Sequence, residues 1–154
     1  MMFSKINVTL AVLASGIFSL LCSSYDSNTD NTYTTVTIKA NQQTDLQKSI
    51  ANGKEVYADF CMQCHKATGN GSGRTYPPLD GSDWLKNKRT ESIHAVKYGL
   101  KGAIVVNGQK YSSTMSPMGL SDEEVADVMN YIMNSWSNKQ TKMVTVAEVA
   151  LVKK

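Results

Sequence analysis

The reactive side chains of this sequence concentrate in five residues, Cys61-Met62-Gln63-Cys64-His65, set within VYADFCMQCHKATGNG. Two cysteines two residues apart with a histidine directly behind suit three chemistries. A dithiol would exchange disulfides, a zinc site would take both thiolates as half its ligand set, and a haem attachment site would use the cysteines as covalent anchors and His65 as an iron ligand. A tetrahedral zinc site needs two further ligands, and beyond the motif only His94 and Cys22 remain among the histidines and cysteines. Cys22 closes an apolar run near the N-terminus and is poorly placed for the task. A redox dithiol follows a strand inside a βαβ unit, whereas the residues ahead of Cys61 carry helical periodicity. Haem attachment is the reading that both the motif and its flanks favour.

The N-terminus points to a compartment. Lys5 is followed by an apolar run from Ile6 to Leu21, the layout of a signal peptide. The run is somewhat short for a membrane span, which takes roughly 20 apolar residues, and an uncleaved anchor is the alternative. Cys22, followed by Ser23-Ser24-Tyr25-Asp26, resembles a bacterial lipoprotein start, although Ser19-Leu20-Leu21 lacks the small residue usual just before the cysteine. Cleavage after Ser23 or Ser24 is the competing outcome. Either way the remainder leaves the cytoplasm, which places it in the periplasm, with a membrane tether if Cys22 is lipidated. The formal charge of +3 falls to +2 when Lys5 is removed (3 − 1). With no basic patch, nothing points to nucleic acid.

Residues 1–22 are therefore expected to be a signal peptide, 23–43 a polar flexible linker, 44–137 the folded domain and 138–154 a C-terminal tail. In the domain, Ser49 is expected to cap a helix whose Ile50, Val56, Tyr57 and Phe60 form one apolar stripe. Gly53 interrupts it, and a helical glycine implies close approach of another element. The best partner is a helix after Leu120, with Ser121 and Glu124 as a capping box and Val125, Val128, Tyr131 and Ile132 as its stripe. Gly53 should then face Val128 and Tyr131, with Tyr57 beside them. A middle helix spans about Thr90 to Gly99. Long Gly/Pro-rich loops at 69–82 and 102–119 are expected to carry function. In the tail, Thr145 and Glu148 read as a second capping box, starting a short helix that docks through Val149 and Val152. Fewer than a hundred residues make a small core, so the domain is expected to fold poorly without its prosthetic group.

The order of CxxCH after a first helix, then YPPLDGSDWL, then VNGQKYSSTMSPMGLSDEEVADVMNYIMNSW, resembles the class I cytochromes c over about 49–137. The resemblance implies an all-α, small cytochrome c fold: three main helices, long loops wrapping one covalently bound haem, and here a short C-terminal helix. It implies haem c and its iron as cofactor, with Cys61 and Cys64 as thioether anchors and His65 as proximal ligand. It also implies that the Pro77 carbonyl receives the other imidazole N–H (Pro78 is the alternative) and that Leu79 packs on the haem face. The family's sixth ligand follows a tyrosine by four positions, which selects Met115 after Tyr111. Ser116 stands where the family places proline, and this leaves Met118 open. His94 is expected to be a packed helix residue. The implied function is single-electron transfer without catalysis, to or from a redox partner such as an oxidase, reductase or dehydrogenase. A haem-based gas or redox sensor with a labile sixth ligand is the alternative.

Overall fold

The computed structural model describes residues 31–154. The expected signal peptide, Cys22 and residues 23–30 of the expected linker lie outside the described residues. The chain runs through α1 (Asn31–Phe60), α2 (Met62–His65), α3 (Asp83–Asn87), α4 (Arg89–Tyr98), β1 (Ile104–Val106), β2 (Gln109–Tyr111), α5 (Asp122–Asn134) and α6 (Val146–Leu151). Among the described residues, no helix is long and apolar enough to cross a membrane.

The first helix departs from expectation at its start. It begins at Asn31, so residues 31–43 of the segment read as a flexible linker are helical. Polar composition had argued against order there, but a helix already anchored by a packed C-terminal half extends at little nucleation cost. Leu46 is buried, and residues 41–45 just before it are exposed. Ser49 is consequently not a cap. It sits mid-helix, buried, where its hydroxyl donates to Asp127 Oδ1 at 2.5 Å and accepts from Asn130 Nδ2 at 2.8 Å.

The domain is organised around the crossing of α1 and α5. A Cβ built on Gly53 would lie 2.0 Å from the Asp127 carbonyl oxygen and 2.9 Å from the Tyr131 Cβ. The contact is thus as expected in kind, but Asp127 rather than Val128 sits against the glycine. The Tyr57 and Tyr131 rings meet at 5.3 Å beside it. The buried stripe of α5 includes Val125, Val128, Met129, Ile132 and Met133, none more than 4 % exposed. Its start is fixed by Ser121 and Glu124, whose side chain and backbone groups satisfy one another reciprocally. Phe60, placed by periodicity in the apolar stripe of α1, is 43 % exposed and turns away from this core.

The tail is built into the same core. Val144 and Val149 are fully buried and Val152 nearly so. Buried Asn130 brackets Val144, donating to its carbonyl at 2.8 Å and accepting from its N–H at 2.7 Å. Thr145 caps α6 by accepting from Glu148 N–H. The reciprocal half of the expected capping box is absent from α6, because the Glu148 carboxylate is engaged by Arg89, through Nε at 2.6 Å and Nη2 at 2.8 Å.

The segment 102–119, read as one long loop, contains the β1–β2 hairpin, with Val105 opposite Lys110. Asn107 and Gly108 both have positive φ, 50° and 76°, the signature of the two-residue turn that Asn-Gly favours.

Candidate functional site

Residues 57–65 leave α1, make a single turn and end at a buried histidine. The turn is tightened by the N–H groups of Cys64 and His65, which both donate to the Cys61 carbonyl at 3.2 and 2.9 Å. This brings Cys61, Cys64 and His65 onto one wall of a cleft completed by Phe60, Tyr76 and Pro77. The facing segments supply Leu100, Ile104, Tyr111, Met115 and Met118. The empty space is about 870 Å³, part of it open to solvent. A narrower recess continues inward, lined by Cys61, His65, Pro77, Pro78, Leu79 and Met115 and floored by Val128 and Ile132 of α5.

His65 is 9 % exposed. Its Nδ1 lies 3.0 Å from the Pro77 carbonyl oxygen. A carbonyl can only accept, so Nδ1 carries the proton and Nε2 keeps a free lone pair. Of the two prolines considered, Pro77 makes this contact. Burial lowers the histidine's pKa, and the Pro77 hydrogen bond partly opposes that, so the ring is neutral near pH 7. Burial pushes the Cys61 thiol up to about 11, helped by the neighbouring Cys64. An exchange thiol needs the opposite shift. Burial, followed by Cys61 and Tyr131, also raises the Tyr57 phenol, whose hydroxyl donates to the Lys66 carbonyl at 2.7 Å. Among the described residues, no three His, Cys, Asp or Glu side chains gather in a way that would hold a metal ion unaided.

The loop after His65 is held by backbone groups. Gly71 N–H donates to the His65 carbonyl at 3.0 Å, and the N–H groups of Leu79 and Asp80 both donate to the Gly69 carbonyl at 2.7 and 3.0 Å. Gly71 has φ +64°, and a Cβ there would press on the Tyr76 and Pro77 carbonyls. The opposite wall is held in the same manner. Leu100 and Met115 exchange two hydrogen bonds, at 2.8 and 2.9 Å. A Cβ on Gly99, at φ +81°, would lie 2.6 Å from the Met115 carbonyl oxygen. Only glycine suits both positions.

The structure therefore brings Cys61, Cys64, His65, Pro77, Leu79 and Met115 to one connected space. Met118 lines the outer cleft only, whereas Met115 reaches the inner recess with His65. His94 stays apart on α4, its ring 5.3 Å from that of Tyr98. Sequence reasoning missed Phe60, Tyr76, Leu100 and Ile104 as lining residues. For Ile104 the signal was available, since Asn107-Gly108 between apolar flanks marks a hairpin that turns Ile104 and Val106 to one side. Nothing in the sequence marks Leu100, whose role lies in its backbone.

A small helical domain whose CxxCH turn and methionine-bearing loop face one another across an apolar cleft is built for a flat prosthetic group gripped at one edge. The comparisons agree. Residues 50–136 match the family model Cytochrome c, and the chain belongs to that family, which binds covalent haem c. It is similar to cytochrome c-552 of Thermus thermophilus, 38 % identical over 98 residues that make up 60 % of this chain and 66 % of that protein. It is also similar to the cytochrome c subunit of a quinone alcohol dehydrogenase of Gluconacetobacter polyoxogenes, 32 % identical over 63 % of this chain. A third relative is the gluconate 2-dehydrogenase cytochrome c subunit of Pantoea cypripedii, 37 % identical over 66 % of this chain. The chain spans about two thirds of the Thermus protein but only 21 % and 24 % of the two dehydrogenase subunits. The residues fit the family's cofactor: two thiols at one edge, a neutral imidazole with a free Nε2, a soft thioether, and walls free of carboxylates. The domain is a cytochrome c electron carrier.

Proposed function

We propose that the chain carries single electrons outside the cytoplasm, with Cys61 and Cys64 as thioether anchors of one haem c, and His65 and Met115 as its axial ligands. The observation that carries this reading is the position of Met115, which shares the inner recess with His65 while belonging to the opposite wall. When bound, the haem iron supplies a one-electron couple, and methionine ligation favours its reduced state. The protein does the rest. His65 is oriented and made more basic by the Pro77 carbonyl. Pro77, Leu79, Leu100 and Ile104 keep water from the inner recess, and Phe60 and Tyr76 frame the edge left open. Held by both His65 and Met115, the iron would supply electron transfer and no open position for a substrate, so the domain's role is to carry electrons.

The open edge also suggests the kind of redox partner. Residues 60–78 and 99–120, which form both walls, contain Lys66, Arg74, Lys101 and Lys110 and no aspartate or glutamate. All four cations are exposed. Exposed cations on these segments would favour an acidic partner surface over a basic one. A respiratory oxidase or reductase, or a dehydrogenase of the kind that the relatives' names describe, meets this requirement if its docking site is acidic. The apolar N-terminal run and Cys22 support a periplasmic location, with the domain tethered to the membrane if Cys22 is lipidated.

The decisive experiment is Met115→Ala, expressed with haem-maturation machinery. Haem should remain covalently bound, the reduction potential should fall, and the ferrous form should bind carbon monoxide rapidly. The wild type should bind it slowly. Rapid binding by the wild type would favour the sensor reading instead, and an unchanged spectrum in Met115→Ala together with a changed one in Met118→Ala would move the sixth ligand to Met118.

A further inference from the structure

The loop that carries Met115 begins after Gly99 and ends before Asp122. Its two roots are joined by one side chain. Lys97, in the last turn of α4, places Nζ 2.7 Å from Asp122 Oδ1, at the first residue of α5. The same ammonium donates to the Val149 carbonyl of α6 at 3.0 Å. One residue on, the Tyr98 hydroxyl donates to the Val152 carbonyl at 3.2 Å. Leu100, two residues further, is locked to Met115 by the paired backbone hydrogen bonds described above. Leu100 also lines a groove shared with Leu151 and Val152, so it is bonded to the methionine loop on one side and faces the tail across that groove on the other. The Lys97 side chain is only 14 % exposed, which shelters its contacts from solvent screening. The family match ends at residue 136, and α6 lies beyond it.

We infer that the C-terminal segment is a clasp that positions the sixth ligand: through Lys97 and Tyr98 it fixes the end of α4, and through Leu100 the backbone of Met115. Lys97 and Tyr98 are positioning residues in this scheme. The inference rests on the reading of Met115 as an iron ligand. Its physical content is that the methionine leaves the iron less readily when both roots of its loop are tied to a third element, itself anchored in the core through Val149. Weakening the clasp should increase the fraction of molecules in which Met115 has swung away, with the fold intact.

The test uses the full-length holoprotein and imidazole as a probe, because imidazole binds the ferric iron only when the methionine has left. Tyr98→Phe, and Tyr98→Phe combined with Lys97→Met, should tighten imidazole binding, the double variant by about tenfold, the scale of one hydrogen bond to a charged group. The reduction potential should fall in the same order. Gly53→Ala provides the stability control, since the added methyl would press on Asp127 and Tyr131 of α5 and on no residue of the tail. It should lower the denaturation midpoint and leave imidazole affinity unchanged. Equal tightening in Gly53→Ala at equal loss of stability would overturn the inference in favour of general loosening, and unchanged affinity in the Tyr98 variants would overturn it directly. Met115→Ala, measured alongside, separates the two readings. If it raises imidazole affinity while the Tyr98 and Lys97 variants do not, the clasp alone fails. If it does not raise the affinity, the ligand assignment fails and the clasp with it.

Discussion

The α1–α5 crossing and the two walls of the cleft are held by different means. At the crossing the chain is joined by side chains: the Tyr57 and Tyr131 rings, the Ser49 hydroxyl against Asp127, and Asn130 reaching both Ser49 and Val144. At the cleft, the chain is joined mostly by its own backbone: Gly71 to His65, Leu79 to Gly69, Leu100 to Met115. Side-chain packing is specific and additive over area. Backbone pairing depends on the conformation of a few residues, and here on glycines at positive φ. The crossing should therefore govern how stable the domain is, and the walls should govern how the ligands are presented. Substitutions in the two regions can separate these roles.

The largest effect is expected from Asn130→Ala. It leaves the buried Val144 N–H and carbonyl without partners and removes the donor to Ser49. The cost should be about 3–5 kcal/mol, read as a lower denaturation midpoint. Gly53→Ala comes next. The added methyl would sit on the Asp127 carbonyl, and forcing the helices apart should cost about 1–3 kcal/mol net of the better helix propensity of alanine. Its potential should hold. Gly71→Ala tests the other region. A side chain at φ +64° costs about 1–2 kcal/mol in backbone strain, to which its clash with the Tyr76 and Pro77 carbonyls adds, and it displaces the Pro77 carbonyl and weakens its hold on His65 Nδ1. On the proposed ligation the imidazole becomes a poorer donor to iron, and the potential should rise. If Gly53→Ala moved the potential as far as Gly71→Ala, the division between the regions would be lost.

The same difference explains what could be read from the sequence. The stripe of α5, its capping box, the Gly53 contact and the docking of Val149 and Val152 all follow from residue type at helical spacing, and a side-chain-built crossing displays that spacing. The start of α1 was misplaced because Ser49 has the chemistry of a cap, and its use against Asp127 depends on a residue 78 positions away. Phe60 was misassigned because periodicity cannot distinguish an apolar face that meets a helix from one that meets a cleft. Cys61, Cys64 and His65 were legible through their spacing, and Pro77, Leu79 and Met115 through resemblance. Leu100 and Gly99 were not legible as parts of the site, since what they contribute is backbone position. The Arg89–Glu148 pair was hidden for a related reason: Glu148 fits a capping box by spacing, and only the folded tail reveals Arg89 as its partner.

That pair yields the smallest effect, and its pH dependence is specific. Arg89 grips the Glu148 carboxylate with two nitrogens and also donates to the carbonyls of Lys142 and Met143, at 3.2 and 3.0 Å. The guanidinium lowers the Glu148 pKa. A carboxylate whose folded pKa lies below its unfolded value contributes fully above the unfolded value, about 4.3, and loses that contribution as pH falls through the folded pKa. Glu148→Gln should therefore cost about 1 kcal/mol near pH 7, the upper range for a partly exposed pair. The gap between wild type and variant should close in acid, because protonated Glu148 and glutamine are both neutral. Asp80 and Glu124 also have lowered pKa values and titrate in the same interval, but they are common to both proteins and cancel in the difference. The Lys97–Asp122 pair is likewise common to both proteins and cancels. Denaturant midpoints of the two proteins from pH 7 down to about 3 should converge, and a constant gap over that interval would show that Glu148 acts through packing and not through its charge.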